Sequence, residues 1–139
     1  MLDVDQALAL YVVNILNIRA EIDFINTFMT SGIWGTSLVG VESGAVPGTS
    51  VLKWNVSGST PVEDVEEAKQ AVLLGTGKEA NTLALGYRVR KALKTNAQIT
   101  ARLTGGQTPG QVASVTDVQL SQIFDIPRIV TAKSVYNSA

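Results

Sequence analysis

Apolar side chains recur along residues 3–30 at alternating spacings of four and three. This is the period of one face of a long α-helix. Asp3 and Asp5 stand at its amino end, where the helix dipole favours negative charge. The pattern predicts one helix of about 40 Å at 1.5 Å per residue. Its apolar face consists of Val4, Leu8, Tyr11, Ile15, Ile18, Ile22, Ile25 and Met29.

The first half of this predicted helix is apolar on nearly every side, because residues 7–13 read ALALYVV. Such a helix needs covering on more than one side. Two interpretations are open. The helix is a central beam for other segments, some supplied by neighbouring chains or by sequence outside this chain, or it is an ordinary core helix.

Residues 31–60 are rich in Gly, Ser and Thr and contain two tryptophans. This composition predicts a loop, with one short strand near residues 51–56 and the tryptophans anchoring it to the body of the protein. A helix then begins, with Thr60 as N-cap, Pro61 in the first position and Glu63 closing a capping box. Gly75 is the expected stop, and the buried face is Val62, Val65, Ala68, Val72 and Leu73.

The remaining pattern alternates short strands with helices. Residues 81–86 predict a buried strand, and a helix follows from Tyr87, its apolar face continuing to Leu103. After a glycine-rich loop at 105–110, a second capped helix begins at Thr116, and residues 129–132 predict a strand. The fold class is therefore α+β (mixed α/β), a long helix plus a small central sheet flanked by helices.

Composition excludes much catalytic chemistry. The 139 residues include neither Cys nor His, which rules out thiol nucleophiles, disulfides, Cys/His zinc sites and Ser-His arrangements. Eleven basic residues against 12 acidic ones give a net charge of −1, so no global basic field attracts nucleic acid or a membrane. The longest apolar run, residues 7–13, is far shorter than the roughly 20 residues of a membrane span. We expect a soluble chain that is not secreted.

The Gly77-Lys78 pair suggests a phosphate-binding loop, but the residues around it do not match the pattern of such a loop. The P-loop pattern needs Gly where Val72 stands and Ser or Thr where Glu79 stands. A helix C-cap and tight turn explain the glycines better. The acidic run at 63–67 lies in the first turns of a helix, where negative charge is favoured. We therefore predict no enzyme activity, cofactor, metal or small-molecule substrate.

The order of motifs carries more information than any one of them. "STPVEDV" at 59–65, "NTL" at 81–83 and "V-x-x-A-L-x-x-N" at 89–96 follow the long helix. "L-x-x-I-F-x-I-x-R-I-V" at 120–130 and "A-x-x-x-YNSA" at 132–139 complete the series. Together they resemble the major capsid proteins of tailed bacteriophages, whose icosahedral shell fold is shared with encapsulins.

This resemblance implies a structural protein that self-assembles, through pentamers and hexamers, into the icosahedral head of a phage or prophage. Residues 1–30 would be the spine helix of the peripheral domain, and residues 31–139 the axial α/β domain, packed as one unit. The arm and extended loop usual in the family are missing, so the chain looks truncated. The implied location is the virion, and the host cytoplasm during assembly.

The implied partners are other copies of the chain and packaged double-stranded DNA bound without sequence specificity. Opposite charge blocks suit contacts between neighbouring subunits, although a solvated face is the commoner meaning of such blocks. The alternative function is a small bacterial α/β domain that binds nucleotides through Lys78 or serves as an adaptor. The candidate subunit-contact residues are Arg88, Arg90, Lys91, Lys94, Gly105 and Gly106.

Overall fold

The computed structural model describes residues 3–105 and 115–132. Helix α1 spans Val4–Phe28, about 38 Å at 1.5 Å per residue. Asp3 caps it, its side chain accepting a hydrogen bond from the Asp5 amide at 3.3 Å. The Met29 amide closes the other end on the Ile25 carbonyl at 2.8 Å. The predicted long helix is confirmed.

Helix α1 buries none of its residues. Most of its apolar side chains are exposed, from Val4 at 77% to Phe28 at 41% of full exposure, and Ile18 and Ile22 are half-buried. The interpretation as an ordinary core helix is therefore wrong. Beyond the helix, the Trp34 indole donates to the Phe28 carbonyl, and its ring lies 6.5 Å from the Phe28 ring. Trp34 thus packs on the end of α1 and is itself exposed.

The loop-rich region after α1 contains two short strands. Strands β1 (Val39–Val41) and β2 (Ser50–Leu52) pair in parallel, Val39 opposite Ser50. The predicted strand at 51–56 is therefore shorter and earlier, and β1 was not predicted, because a three-residue strand gives too short a pattern to detect. Trp54, just after β2, packs against the core and confirms the anchoring predicted for one of the two tryptophans.

Helix α2 spans Pro61–Thr76 with Pro61 in its first turn, as predicted. Its N-cap Thr60 makes no side-chain hydrogen bond to the helix. The expected capping box with Glu63 is therefore wrong, because the Glu63 carboxylate accepts from Gln98. The helix also passes the predicted stop at Gly75. It ends where Gly77 adopts φ 69° and donates its amide to the Leu73 carbonyl.

Strands β3 (Thr82–Gly86) and β4 (Arg128–Ala132) form a second parallel pair, in register from Thr82 opposite Arg128 to Gly86 opposite Ala132. Both strands were predicted. Within the described residues the four strands lie in two separate two-stranded sheets, one of which, β3–β4, packs with the helices. The mixed helix-and-sheet fold class is confirmed.

Asn96 divides the predicted helix after β3 into α3 (Tyr87–Thr95) and α4 (Ala97–Thr104). Its backbone is extended, with φ −66° and ψ 132°, so the apolar face to Leu103 is carried by two helices rather than one. Helix α5 (Asp117–Phe124) begins with the predicted capping box of Thr116 and Gln119.

A single hydrophobic core holds these later elements together. Leu93, Ile99, Leu120 and Phe124 are fully buried. Burying one such side chain contributes about 1.5–3 kcal/mol. The core joins α2, β3, α3, α4 and α5, and its buried apolar members are Val62, Val65, Leu85, Leu93, Ile99, Val115, Leu120, Phe124 and Ile126.

The described residues fall into two compact units, one within residues 3–37 and one within residues 38–132. The first consists of α1 and the segment that follows it. The second holds both sheets and helices α2–α5. The division of the chain into residues 1–30 and 31–139 stays a prediction.

Candidate subunit-contact surface

Helix α3 places three of the predicted contact residues on one outward surface. With 3.6 residues per turn, Lys91 lies at the centre of this surface, with Arg88 and Lys94 to either side. Leu93 on the opposite side is fully buried, which fixes the rotation of the helix. Among the described residues, Arg88, Lys91 and Lys94 have no acidic partner. We call Tyr87, Arg88, Lys91 and Lys94 the basic face of α3.

Arg90 lies outside the basic face. Its Nε is 2.6 Å from Oδ1 of Asp117, and its side chain is only 20% exposed. The hydrogen bond from Arg90 to this carboxylate raises the pKa of the Arg90 guanidinium. The residue therefore ties α3 to the first turn of α5, and the structure does not bring it together with the other three cations.

Gly105 ends α4. It adopts φ 60° and ψ 28°, and its amide donates to the Ala101 carbonyl. Open space surrounds it, but a side chain is disfavoured by the left-handed backbone. The left-handed backbone at the end of α4 is therefore sufficient to explain why a glycine stands at position 105. Gly106 lies outside the described residues.

Helix α2 carries a face of opposite charge. Glu63, Glu66, Glu67 and Gln70 line an open groove of about 590 Å³ together with side chains of α4 and α5. Two of the carboxylates are paired within the chain. Glu66 lies 3.0 Å from Lys69 Nζ, and Glu63 lies 3.4 Å from Arg102. Glu67 has no cationic partner in the part of the chain that the structure describes.

Gln98 organises the amino end of this acidic groove. Its Nε2 donates to the Glu63 carboxylate, while its Oε1 accepts from the Val62 amide at 3.0 Å. The hydrogen bond from Gln98 is the main cause that lowers the pKa of the Glu63 carboxyl, and the charge of Arg102 acts in the same direction. Glu63 therefore keeps its negative charge to a lower pH than an ordinary glutamate does.

A second open groove, of about 610 Å³, lies between β1, β2 and α3. Its lining is mainly apolar, with Lys53 and Arg88 as its cations. One wall is fixed by Trp54, whose Nε1 donates to Oδ2 of Asp64 at 2.7 Å. Arg88 thus belongs both to this groove and to the basic face of α3.

The turn after α2 is built as a helix end and not as a phosphate site. The Gly77 amide is bonded to the Leu73 carbonyl, and the Lys78 amide donates to Thr76 Oγ1 at 3.2 Å. Neither amide is free to bind an anion. Over residues 3–105 and 115–132, no group of three acidic side chains is placed to hold a metal ion. Within the same ranges, the helices include no candidate for a membrane span.

Several contacts of this unit were not foreseen from the sequence. The Trp54–Asp64 and Gln98–Glu63 hydrogen bonds join residues 10 and 35 positions apart. Asn96, which lies at the junction of α3 and α4, joins two further segments. The sequence pattern shows only that these polar residues border an apolar stripe. It does not identify the residues with which they form hydrogen bonds.

Comparisons with known proteins find phage proteins both by sequence and by fold. No family model matches the chain. Over 84 residues it is 27% identical to the major capsid protein of Burkholderia phage BcepMu, covering 60% of this chain and 26% of that protein. The crystal structure of a phage-related protein from Bordetella bronchiseptica RB50 superposes with a TM-score of 0.74 at 19% identity.

That superposition covers 99% of this chain and 42% of the Bordetella protein. The chain thus spans about a quarter of the capsid protein and less than half of the structural neighbour. At 19% identity the likeness of structures shows the fold alone. The chain has the fold of a phage-related protein, and its sequence is similar to part of a phage major capsid protein.

Proposed function

We propose that this chain is part of a major capsid subunit that self-assembles into the icosahedral head of a tailed phage or prophage. The observation that carries the proposal is the 84-residue similarity to a phage major capsid protein. The fold shared with a phage-related protein over 99% of the chain supports it. The role is structural, and the chain has no catalytic part in it.

The surfaces of the two units fit a protein that works in many copies. Helix α1 leaves large apolar side chains uncovered, among them Leu8, Leu10 and Leu16, each above 60% exposure. Exposed apolar patches of this kind mark contacts with other chains or segments. In a shell, such a helix is covered by neighbouring parts of the same assembly.

The charged faces of the second unit supply lateral contacts in the proposal. In the basic face of α3, Tyr87, Arg88 and Lys91 are exposed and Lys94 is half-buried, and the acidic groove of α2 on the same chain is open. Complementary charges orient neighbouring copies and reject wrong pairings. Repetition of one such contact builds rings, the proposed pentamers and hexamers.

Packaged double-stranded DNA is a second candidate partner. The three cations of the basic face, which have no acidic partner in the described residues, are suited to phosphate contacts without sequence readout. In this proposal the subunit is found in the virion, and in the host cytoplasm during assembly.

The proposal is tested by expressing the whole reading frame that contains this chain and examining the product by electron microscopy. Closed particles of uniform size are expected. A whole protein that stays monomeric at every concentration and salt condition contradicts the proposal. The 139-residue chain is the matched control, and we expect it to be monomeric or weakly associated on its own.

A further inference from the structure

One charge of α3, that of Arg88, is placed against the dipole of its own helix, whereas Lys94 in the last turn complements it. Arg88 stands in the first turn, and that turn has no acidic residue. A cation at a helix amino end is unfavourable, because that end carries partial positive charge. Among the described residues no carboxylate relieves Arg88. The arrangement leaves Arg88 exposed and open to an acidic partner from another copy.

Helix α2 has the converse arrangement. Its last turn contains no basic residue, although its carboxyl end carries partial negative charge. Glu67, Gln70 and Leu74 follow one another along its outward side, and Leu74 is 80% exposed. We call these three residues the outward stripe of α2. It offers a carboxylate, an amide and an apolar end.

We propose that the basic face of α3 in one copy docks antiparallel on the outward stripe of α2 in the next copy. This inference rests on the proposed shell function and names the surface through which copies meet. The spacings match. Gln70 and Glu67 lie about 6 Å and about 10 Å from Leu74 along α2. Lys91 and Lys94 lie at the same two distances from Tyr87 along α3.

In this docking Leu74 lies against Tyr87, Gln70 against Lys91 and Glu67 against Lys94. The 60% exposed Tyr87 ring covers the most exposed leucine of α2. Arg88 comes to the last turn of α2, which contains no basic residue, Lys78 being the first cation beyond it. Both unfavourable helix ends are neutralised by one contact, and the two helix dipoles run in opposite directions.

The docked partner is a second copy and not DNA, because both complementary surfaces occur on this chain and the contact includes an apolar pair. Joining two different surfaces makes a head-to-tail contact. Contacts of that type close into rings when the rotation between copies allows it. Rings of one subunit are what the proposed pentamers and hexamers require.

Disulfide trapping tests the register, since the chain has no cysteine of its own. The single variants Gln70→Cys and Lys91→Cys are made in the whole protein that contains this chain. The two are mixed, allowed to assemble and then oxidised. A disulfide needs Cα atoms within about 7 Å. We expect the mixed Gln70–Lys91 dimer to dominate. Gln70→Cys mixed with Arg128→Cys is the control, since Arg128 is exposed on β4, outside both surfaces, and it should give little product.

Charge exchange tests the chemistry. Glu67→Lys and Lys94→Glu should each reduce assembly at least tenfold, and the double variant should recover it. Arg128→Glu is the control, since Arg128 is exposed on β4 and changes the net charge as Lys94→Glu does. Circular dichroism confirms that each variant folds. A double variant no better than either single variant overturns the docking.

The outcomes separate the inference from the function on which it rests. Particles that form normally without the Gln70–Lys91 link overturn the docking and leave the shell function in place. A whole protein that never assembles contradicts the shell function itself. If Lys94→Glu weakens binding of a short DNA duplex while Glu67→Lys changes neither DNA binding nor assembly, the basic face serves DNA and the docking is wrong.

Discussion

Replacing Asn96 by alanine removes four side-chain hydrogen bonds from the centre of the second unit. Asn96 Oδ1 accepts from the amides of Gln98 at 2.9 Å and Ile99 at 3.4 Å, which caps α4. Its Nδ2 donates to the Trp54 carbonyl and to Ser59 Oγ, both at 3.0 Å. Asn96 and Ser59 are both buried.

The two pairs of bonds have separate costs. Loss of an N-cap side chain costs about 1 kcal/mol. A buried acceptor left without its donor costs about 1–3 kcal/mol more. We therefore expect Asn96→Ala to lower the free energy of unfolding by about 2–4 kcal/mol. Asn96→Asp keeps an acceptor for the cap but places a buried carboxylate oxygen against the Trp54 carbonyl, so it should cost at least as much as the loss of the two donated bonds.

Urea unfolding followed by Trp54 fluorescence measures this change. A Trp34→Phe background removes the exposed second tryptophan, so that the signal reports the core-packed indole alone. Asn55→Ala is the matched control because Asn55 is exposed, and surface substitutions usually stay within about 0.5 kcal/mol. An Asn96→Ala effect as small as that of Asn55→Ala refutes the assignment of Asn96 as the junction between α3, α4 and the Trp54 segment.

Three further predictions concern the core, the end of α2 and the acidic groove. Phe124→Ala should lower the unfolding free energy by about 3–5 kcal/mol in urea titrations, because the ring is fully buried. Gly77→Ala should cost about 1–2 kcal/mol at φ 69°, whereas Gly75→Ala, inside the helix, should stabilise by about 0.5–1 kcal/mol; equal effects contradict the observed stop. The Glu63 pKa is lowered from 4.5, so its contribution is present above about pH 4.5 and is lost as pH falls through the folded pKa. Glu63→Gln should therefore make acid unfolding curves shallower, and unchanged curves contradict the contact with Gln98.

Local signals were strong enough to predict most elements. The three-four spacing predicted α1, and the capping box of Thr116 and Gln119 marked the start of α5 correctly. Strands β3 and β4 were found because each is a short apolar run between turn signals. These signals act within a few residues of chain, which is the range over which a sequence can be read without its fold.

Errors occurred where tertiary contacts overruled local rules. Glu63 stands at the correct capping-box spacing, yet Gln98, 35 residues away, takes its carboxylate. Gly75 is a helix breaker by propensity, yet the helix continues to Thr76 because Gly77 supplies the left-handed stop. A competing partner that is distant in sequence leaves no trace in a local pattern.

The candidate contact residues were less predictable than the fold, for a related reason. The basic run on α3 is visible in the sequence. Only the rotation of the helix shows that Arg90 is bonded to Asp117, whereas Arg88, Lys91 and Lys94 lie on the basic face. An ion pair at 2.6 Å between α3 and α5 stabilises one copy. Arg88 opposes the dipole of its own helix and has no acidic partner among the described residues, so it does not stabilise one copy and is the better candidate for a contact between copies. A candidate contact residue is therefore distinguished by whether its charge is already paired within one copy. That pairing is visible only once α3 is packed against the core.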